Sequence, residues 1–314
     1  MNIYNKLKLC APKLARMQSS KHICIIIKPI PMIIDHVSEF TDTLTKYISK
    51  SKANIFFRGH SDAENFELKP TLYRKENFFE NEHHLYREAI LNCPQDFSKC
   101  KNTLEQLVKM QHYGIPTRIL DITKNALVAL YFTCIDNQKA DGEVVILEVP
   151  NSKNCYYDSD RITILANLCK IRSDFKYQVS PNFDYNNKAD VKFINKEYFG
   201  YLLHHIKEDK PHFFDIIDPS DLSSVFAVQV KLDNPRIIRQ SGAFLIFGID
   251  REKKNCPNVP SEWILKPNNE KVIVPASKKH SILKELEILG ISKANLFPEL
   301  DDLADFLKDK YKKL

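Results

Sequence analysis

The chain has 314 residues and a formal charge of +6, from 46 basic and 40 acidic side chains; apolar residues make up 43% and charged residues 27%. This is the composition of an ordinary globular protein with ample core, and it excludes fibrous and intrinsically disordered classes. The mild basic excess permits a nucleic-acid partner without requiring one, since dedicated binders concentrate their basic residues on one face.

Residues 1–31 read as a basic lead-in without periodicity, and 32–314 as one domain. The apolar run Ile23-Cys24-Ile25-Ile26-Ile27 is cut short by Lys28 and Pro29. It is too short to span a bilayer and lacks a small-residue cleavage site, so a cytoplasmic protein without a membrane partner is expected. Val37, Phe40, Leu44 and Ile48 recur at helical spacing. Asn54 to Gly59 reads as a short buried strand ending in a turn, and 80–92 and 103–112 as helices. Gly114 and Pro116 stop the second of these.

Thr117 to Asp121 then reads as a strand, and Asn125 to Cys134 as a helix with Thr123 or Asn125 as its cap. A strand follows at 143–149. Residues 151–215, rich in Asn, Asp, Lys and Tyr, read as an insertion of helices and long loops. Strands return at 224–230, 242–247 and 271–274, with helices at 278–289 and 300–311. The lysines at 308, 310, 312 and 313 fit a solvated face of that last helix. The order is neither strict strand–helix alternation nor all-β. It implies an α+β fold with a mixed, mostly antiparallel sheet and flanking helices.

The eight cysteines (10, 24, 93, 100, 134, 155, 169, 256) form no CxxC pair, which predicts reduced and mostly buried thiols. His83-His84 and His204-His205 are adjacent in helices and show no companion Cys or acidic spacing, so no metal site is expected. Phosphate-loop, GxGxxG, GxSxG and HExxH patterns are all absent.

Only seven glycines occur, and Gly59, Gly114 and Gly242 each fall in a segment dense in polar groups. In Phe57-Arg58-Gly59-His60, Arg58 offers a planar fork for phosphate or carboxylate, and Gly59 lets a ligand approach the backbone. The plain alternative is an arginine bracing two elements through an internal carboxylate. Gln111 to Thr123 packs His112, Tyr113, Thr117, Arg118, Asp121 and Thr123 between two apolar helices. Arg118 and Asp121 point to opposite faces of the strand, so each needs its own partner. Arg58 or Arg74 would suit Asp121. His112, at a helix end, can serve as acid, base or hydrogen-bond donor, or be structural. In the third segment, Arg236, Arg239 and Gln240 lead through Gly242 into an apolar strand; polar residues facing solvent would explain it equally.

Taken together these segments resemble the FRG (phenylalanine-arginine-glycine) domain family of bacteria and phages. The opening motif is Phe57 to Asp62 with Leu68-Lys69-Pro70-Thr71-Leu72-Tyr73-Arg74. The central one is Gln111 to Thr123 followed by Ala126 to Phe132. Arg239 to Phe244 is similar to the third motif and Asn295 to Leu300 to the usual ending, so the resemblance spans about 36–307. Ile122 stands where the family commonly has tryptophan.

The three-segment layout also resembles ADP-ribosyltransferases. That resemblance implies NAD as substrate and a nucleic-acid or protein acceptor. The FRG family's occurrence near mobile elements and anti-phage or toxin genes implies a toxin or anti-phage defence effector with an antitoxin or other defence partner. With His112 as the acid or base at its helix end, the candidate catalytic residues are Arg58, His112, Asp121 and Gln240. Ligand contacts would fall to Gly59, His60, Arg74, Tyr113, Thr117, Arg118, Thr123 and Arg239. Gln240 stands where transferases generally have a carboxylate. A non-catalytic nucleotide or nucleic-acid sensor, and a metal-dependent nuclease or nucleotide hydrolase using His112 and Asp121, are the competing readings.

Overall fold

A computed structural model of the chain describes residues 31–49, 51–74 and 78–299, with 304, 308, 311 and 312 near the C-terminus. The lead-in over 1–31, with its run at 23–27, and the helix expected at 300–311 therefore lie mostly outside the described residues.

Nine strands form one sheet among the described residues. In chain order they are β1 (Met32–Ile33), β2 (Asn54–His60), β3 (Ile119–Thr123), β4 (Gly142–Val149), β5 (Asn154–Tyr156), β6 (Val225–Gln229), β7 (Gly242–Phe247), β8 (Ile264–Leu265) and β9 (Val272–Val274). Their order across the sheet is β1-β9-β4-β2-β3-β7-β6-β5, with β8 paired to β4. Only the end pairs β1–β9 and β5–β6 are parallel, so the fold is α+β with a mostly antiparallel sheet. β5 is a strand the sequence reading did not anticipate. It is three residues long and takes its place by pairing with β6 rather than by any pattern of its own.

The pairing has one weak seam. β2 is in register with β4 over seven residue pairs, from Asn54↔Val149 to His60↔Glu143. β3 is in register with β7 over five, from Ile119↔Ile246 to Thr123↔Gly242. Between β2 and β3, however, the ladder holds only the pair Phe57↔Thr123. Beyond it the two halves of the sheet part.

Packing follows this division. Over the β2–β4–β9 half lie the helices Ala126–Ile135, Ala276–Ile288 and Val37–Ile48, enclosing Phe57, Val144, Leu130 and Phe40. Over the β3–β7–β6 half lie Thr103–His112 and Asp160–Asn167, enclosing Ile119, Phe226, Phe244 and Leu107. The opposite face of both halves shares one core around Phe56, Leu120, Val145, Leu245 and Trp263. Two separate cores on one face leave a trough between them, directly above the seam.

Each helix flanking the trough has a local reason to start or stop there. Asn102 caps Thr103–His112 by accepting from the Glu105 amide, and Gly114, at φ 76°, ends it in the left-handed conformation that glycine tolerates. Asn125 caps Ala126–Ile135 by accepting from the Leu127 and Val128 amides. The Asn-rich 151–215 segment is mainly helical, with Lys188–Tyr198 and Gly200–Asp209 as its longer elements. Among the described residues no helix is long and apolar enough to cross a membrane.

Candidate functional site

The seam opens into a cleft of about 240 Å³. Arg58, Gly59, Asp121 and Thr123 line its floor, His112 and Gln111 one wall, and Arg236 and Gln240 the far rim. All four residues assigned catalytic roles from the sequence thus meet in one place, from β2, β3, the end of the Thr103–His112 helix and the turn before β7.

Arg58 spans the seam. Its Nη1 donates to the main-chain carbonyl of Asp121 at 2.5 Å, a carbonyl freed from the ladder by the parting of the strands. Its Nε donates to His60 Nε2 at 3.3 Å. Burial, partly offset by the Asp121 carboxylate, lowers the guanidinium pKa to about 10, so it stays charged at neutral pH. Asp121 therefore meets Arg58 through its backbone, while its side chain is exposed and accepts from Gln111 Nε2 at 2.7 Å.

Gln111 is fixed in turn by Thr117, whose hydroxyl donates to Gln111 Oε1 at 2.7 Å. This chain from Thr117 through Gln111 to Asp121 defines which end of the amide is which. It orients an exposed carboxylate at the cleft floor. Within the central motif the sequence assigns Gln111 no role; its place at the last turn of an amphipathic helix is the available signal.

His112 Nε2 lies 3.4 Å from Glu299 Oε1. Glu299 belongs to the segment Asn295–Glu299, which is pinned along the cleft rim. Gln240 Nε2 donates to the Leu296 carbonyl at 3.1 Å and Arg239 Nη1 to that of Asn295 at 3.1 Å. The Phe297 ring sits 4.5 Å from the Arg236 guanidinium and 6.0 Å from the Phe132 ring. The sequence assigns Glu299 and Arg236 no function, since nothing local ties them to Arg58 or His112.

Several assignments take a different place. Arg118 lies behind the cleft, fully buried, with Nε and Nη2 donating to Glu82 at 2.8 and 2.5 Å and Nη1 to the Phe247 carbonyl at 3.0 Å. Lys253 joins the same carboxylate at 3.0 Å. Burial opposes the charge on Glu82, but Arg118 and Lys253 outweigh it and its pKa is lowered. This is a structural cluster with no ligand face; burial demanded a partner for Arg118, and a glutamate 36 residues earlier supplies it.

Arg74 braces the loop after β2, donating to the carbonyls of Lys69 and Glu67 at 2.7 and 3.3 Å. Tyr113 is exposed and lines a neighbouring basin of about 360 Å³ that shares Val108, His112, Asn234 and Ile237 with the cleft. Thr123 faces the cleft but its hydroxyl donates to the Gln240 carbonyl at 2.6 Å, tying β3 to the turn before β7.

Gly59 was expected to make room for a ligand. A Cβ there would stand 2.1 Å from the Ala129 carbonyl oxygen and 2.6 Å from the Thr133 nitrogen, so its open space is filled by the Ala126–Ile135 helix. The glycine permits that helix to lie on β2.

Two further expectations are corrected. Of the described cysteines, all free, only Cys134 and Cys169 are buried, while Cys93 is exposed and the rest are half-buried. The helix period brings Glu208 beside His204 and His205, so these three have candidate ligand atoms within 4.8 Å of one another. Glu208 is thus an acidic companion at i+4 from His204 and i+3 from His205. Lys170 already pairs with that carboxylate at 3.1 Å.

The fold and cleft define an α+β protein with a cleft that gathers Arg58, His112, Asp121 and Gln240 at a seam in a mostly antiparallel sheet. Residues 53–142, from β2 to the start of β4, match the family model of the FRG domain, and the chain carries that domain. The match covers both Phe57-Arg58-Gly59 and the Gln111–Thr123 segment, a shorter span than the 36–307 suggested by the motifs. No curated protein and no solved structure matches the chain.

Proposed function

We propose that the cleft binds NAD as a substrate and that the protein is an ADP-ribosyltransferase or NAD hydrolase acting as a toxin or phage-defence effector. The observation that carries this reading is the seam itself. A charged arginine on one half-sheet and an exposed carboxylate on the other face the same cleft, with His112 and the turn before β7 completing it. The cleft alone is small for a dinucleotide, but the adjoining basin offers room for the remainder; there Lys109 and Lys231 pair with Asp96 and Glu105, while Lys99 forms no ion pair among the described residues.

In this reading Arg58 pairs with a phosphate, and Asp121 faces the ribose. The bond broken is that from ribose C1′ to the nicotinamide nitrogen, whose electron pair leaves with nicotinamide. Positive charge develops on the ribose, where a carboxylate stabilises it. Oxygen from water or an acceptor hydroxyl then bonds C1′, and His112 or Asp121 takes its proton.

The competing reading is a nucleotide-sensing module without catalysis. It is favoured by Gln240, which carries no charge and whose amide is already committed to the Leu296 carbonyl. Following nicotinamide release from NAD, with and without cell extract, separates the two. Release that is lost in Asp121→Asn supports the enzyme. Binding of NAD without release supports the sensor. Neither binding nor release overturns both. Release abolished by a chelator would instead favour metal-dependent hydrolysis.

A further inference from the structure

His60 ends β2 and is only 3% exposed. The Arg58 Nε that contacts it at 3.3 Å is a donor only, so His60 Nε2 must accept. The ring is neutral. Burial, then Arg58, Arg74 and Lys271, pushes its pKa down to about 3. A neutral imidazole that accepts at Nε2 carries its hydrogen on Nδ1. That Nδ1–H is buried and meets no acceptor among the described residues. An unpaired buried donor is unfavourable enough to call for a partner that the protein does not supply.

The ring also lines a second cavity of about 370 Å³, which has no lining residue in common with the cleft. Leu68, Val145, Val259 and Ile264 give it apolar walls. Of its cations, Lys69 and Lys271 pair with Glu67 and Glu143 at 3.2 and 2.9 Å. Lys266, exposed, forms no ion pair among the described residues. A bare inorganic anion would leave the apolar walls in water, whereas an organic body would cover them.

We propose that this cavity is a second binding site, for a small organic anion whose carboxylate or phosphate accepts from His60 Nδ1–H and faces Lys266. Because the same imidazole holds Arg58 through Nε2, the two sites meet on one ring. The proposal does not depend on what the cleft binds.

Calorimetric titration of the full chain tests it, with benzoate and phenyl phosphate as organic anions and inorganic phosphate as the headgroup alone. At least one organic anion is expected to bind at one equivalent, about tenfold or more tighter than inorganic phosphate. The preferred headgroup distinguishes a carboxylate ligand from a phosphate one. Lys266→Glu, an exposed change that leaves the core intact, should weaken binding about tenfold or more, and the cleft variant Arg236→Ala should leave it unchanged. Nitrogen NMR of labelled histidine should show the His60 Nδ1 resonance moving on titration. Absence of heat and of any His60 Nδ1 change at about 10 mM of either organic anion would overturn the proposal. So would full affinity in Lys266→Glu, or loss in Arg236→Ala, which would place the binding in the cleft.

Discussion

Arg58 Nη1 donates to the Asp121 carbonyl at 2.5 Å across the one place where the sheet's ladder is nearly broken. The contact joins two half-sheets and leaves a guanidinium and a carboxylate at the same cleft. Both the architecture and the proposed chemistry depend on it.

Replacing Arg58 by alanine should weaken NAD binding at least tenfold, about 1.4 kcal/mol, as read by calorimetry. Arg58→Lys should recover only part of this, because a lysine keeps the charge but loses the fork that reaches both His60 and Asp121. Unchanged affinity in both variants would make Arg58 a brace alone.

Glu82→Gln should destabilise far more than any change in the cleft. It leaves Arg118 and Lys253 buried beside a neutral group, and breaking such a pair costs about 3–5 kcal/mol. Urea denaturation measures it, and a loss near zero would refute the account. The lowered pKa of Glu82 has a matching pH sign. Its contribution is present above the ordinary carboxylate range and is lost as pH falls through the folded-state value.

His60 predicts a second pH effect, at milder acidity. Its pKa falls from 6.5 to about 3 on folding, so within that window the unfolded chain binds the extra proton. Stability should therefore drop as pH falls below about 6.5, by up to about 1.4 kcal/mol per unit from this group. His60→Asn should flatten that part of the profile in urea midpoints taken at successive pH values. An equally steep profile in the variant would count against it.

Gly59→Ala should destabilise by about 1–3 kcal/mol or more, because its methyl would press on backbone atoms of the Ala126–Ile135 helix. Gly114→Ala, where φ is 76° and nothing lies within 4 Å, should be destabilised by only about 1–2 kcal/mol, through added backbone strain. Thermal melts compare the two. If Gly59→Ala folds with wild-type stability yet loses ligand binding, the glycine serves the ligand and not the helix.

The longer elements of this fold were legible in the sequence because they rest on local patterning. Periodic Val37, Phe40, Leu44 and Ile48 make a helix, the apolar run ending at Gly59 makes a strand, and Gly114 with Pro116 stops a helix. The motifs around Arg58 and Gln111 were equally visible, and the FRG match covers both. What the sequence could not assign was partners. Arg118 and Asp121 stand three residues apart and look alike as charges in an apolar strand. Yet one is sealed against Glu82, while the other faces the cleft through Gln111.

β5 and the Asn295–Glu299 rim likewise depend on residues distant in the chain. Burial decides whether a charge must be paired, and only the tertiary structure decides with what. Local propensity and periodicity placed the longer strands, though not the short β1, β5 and β8. The seam between β2 and β3, and with it the cleft, arises from how two separate cores pull the halves of one sheet apart.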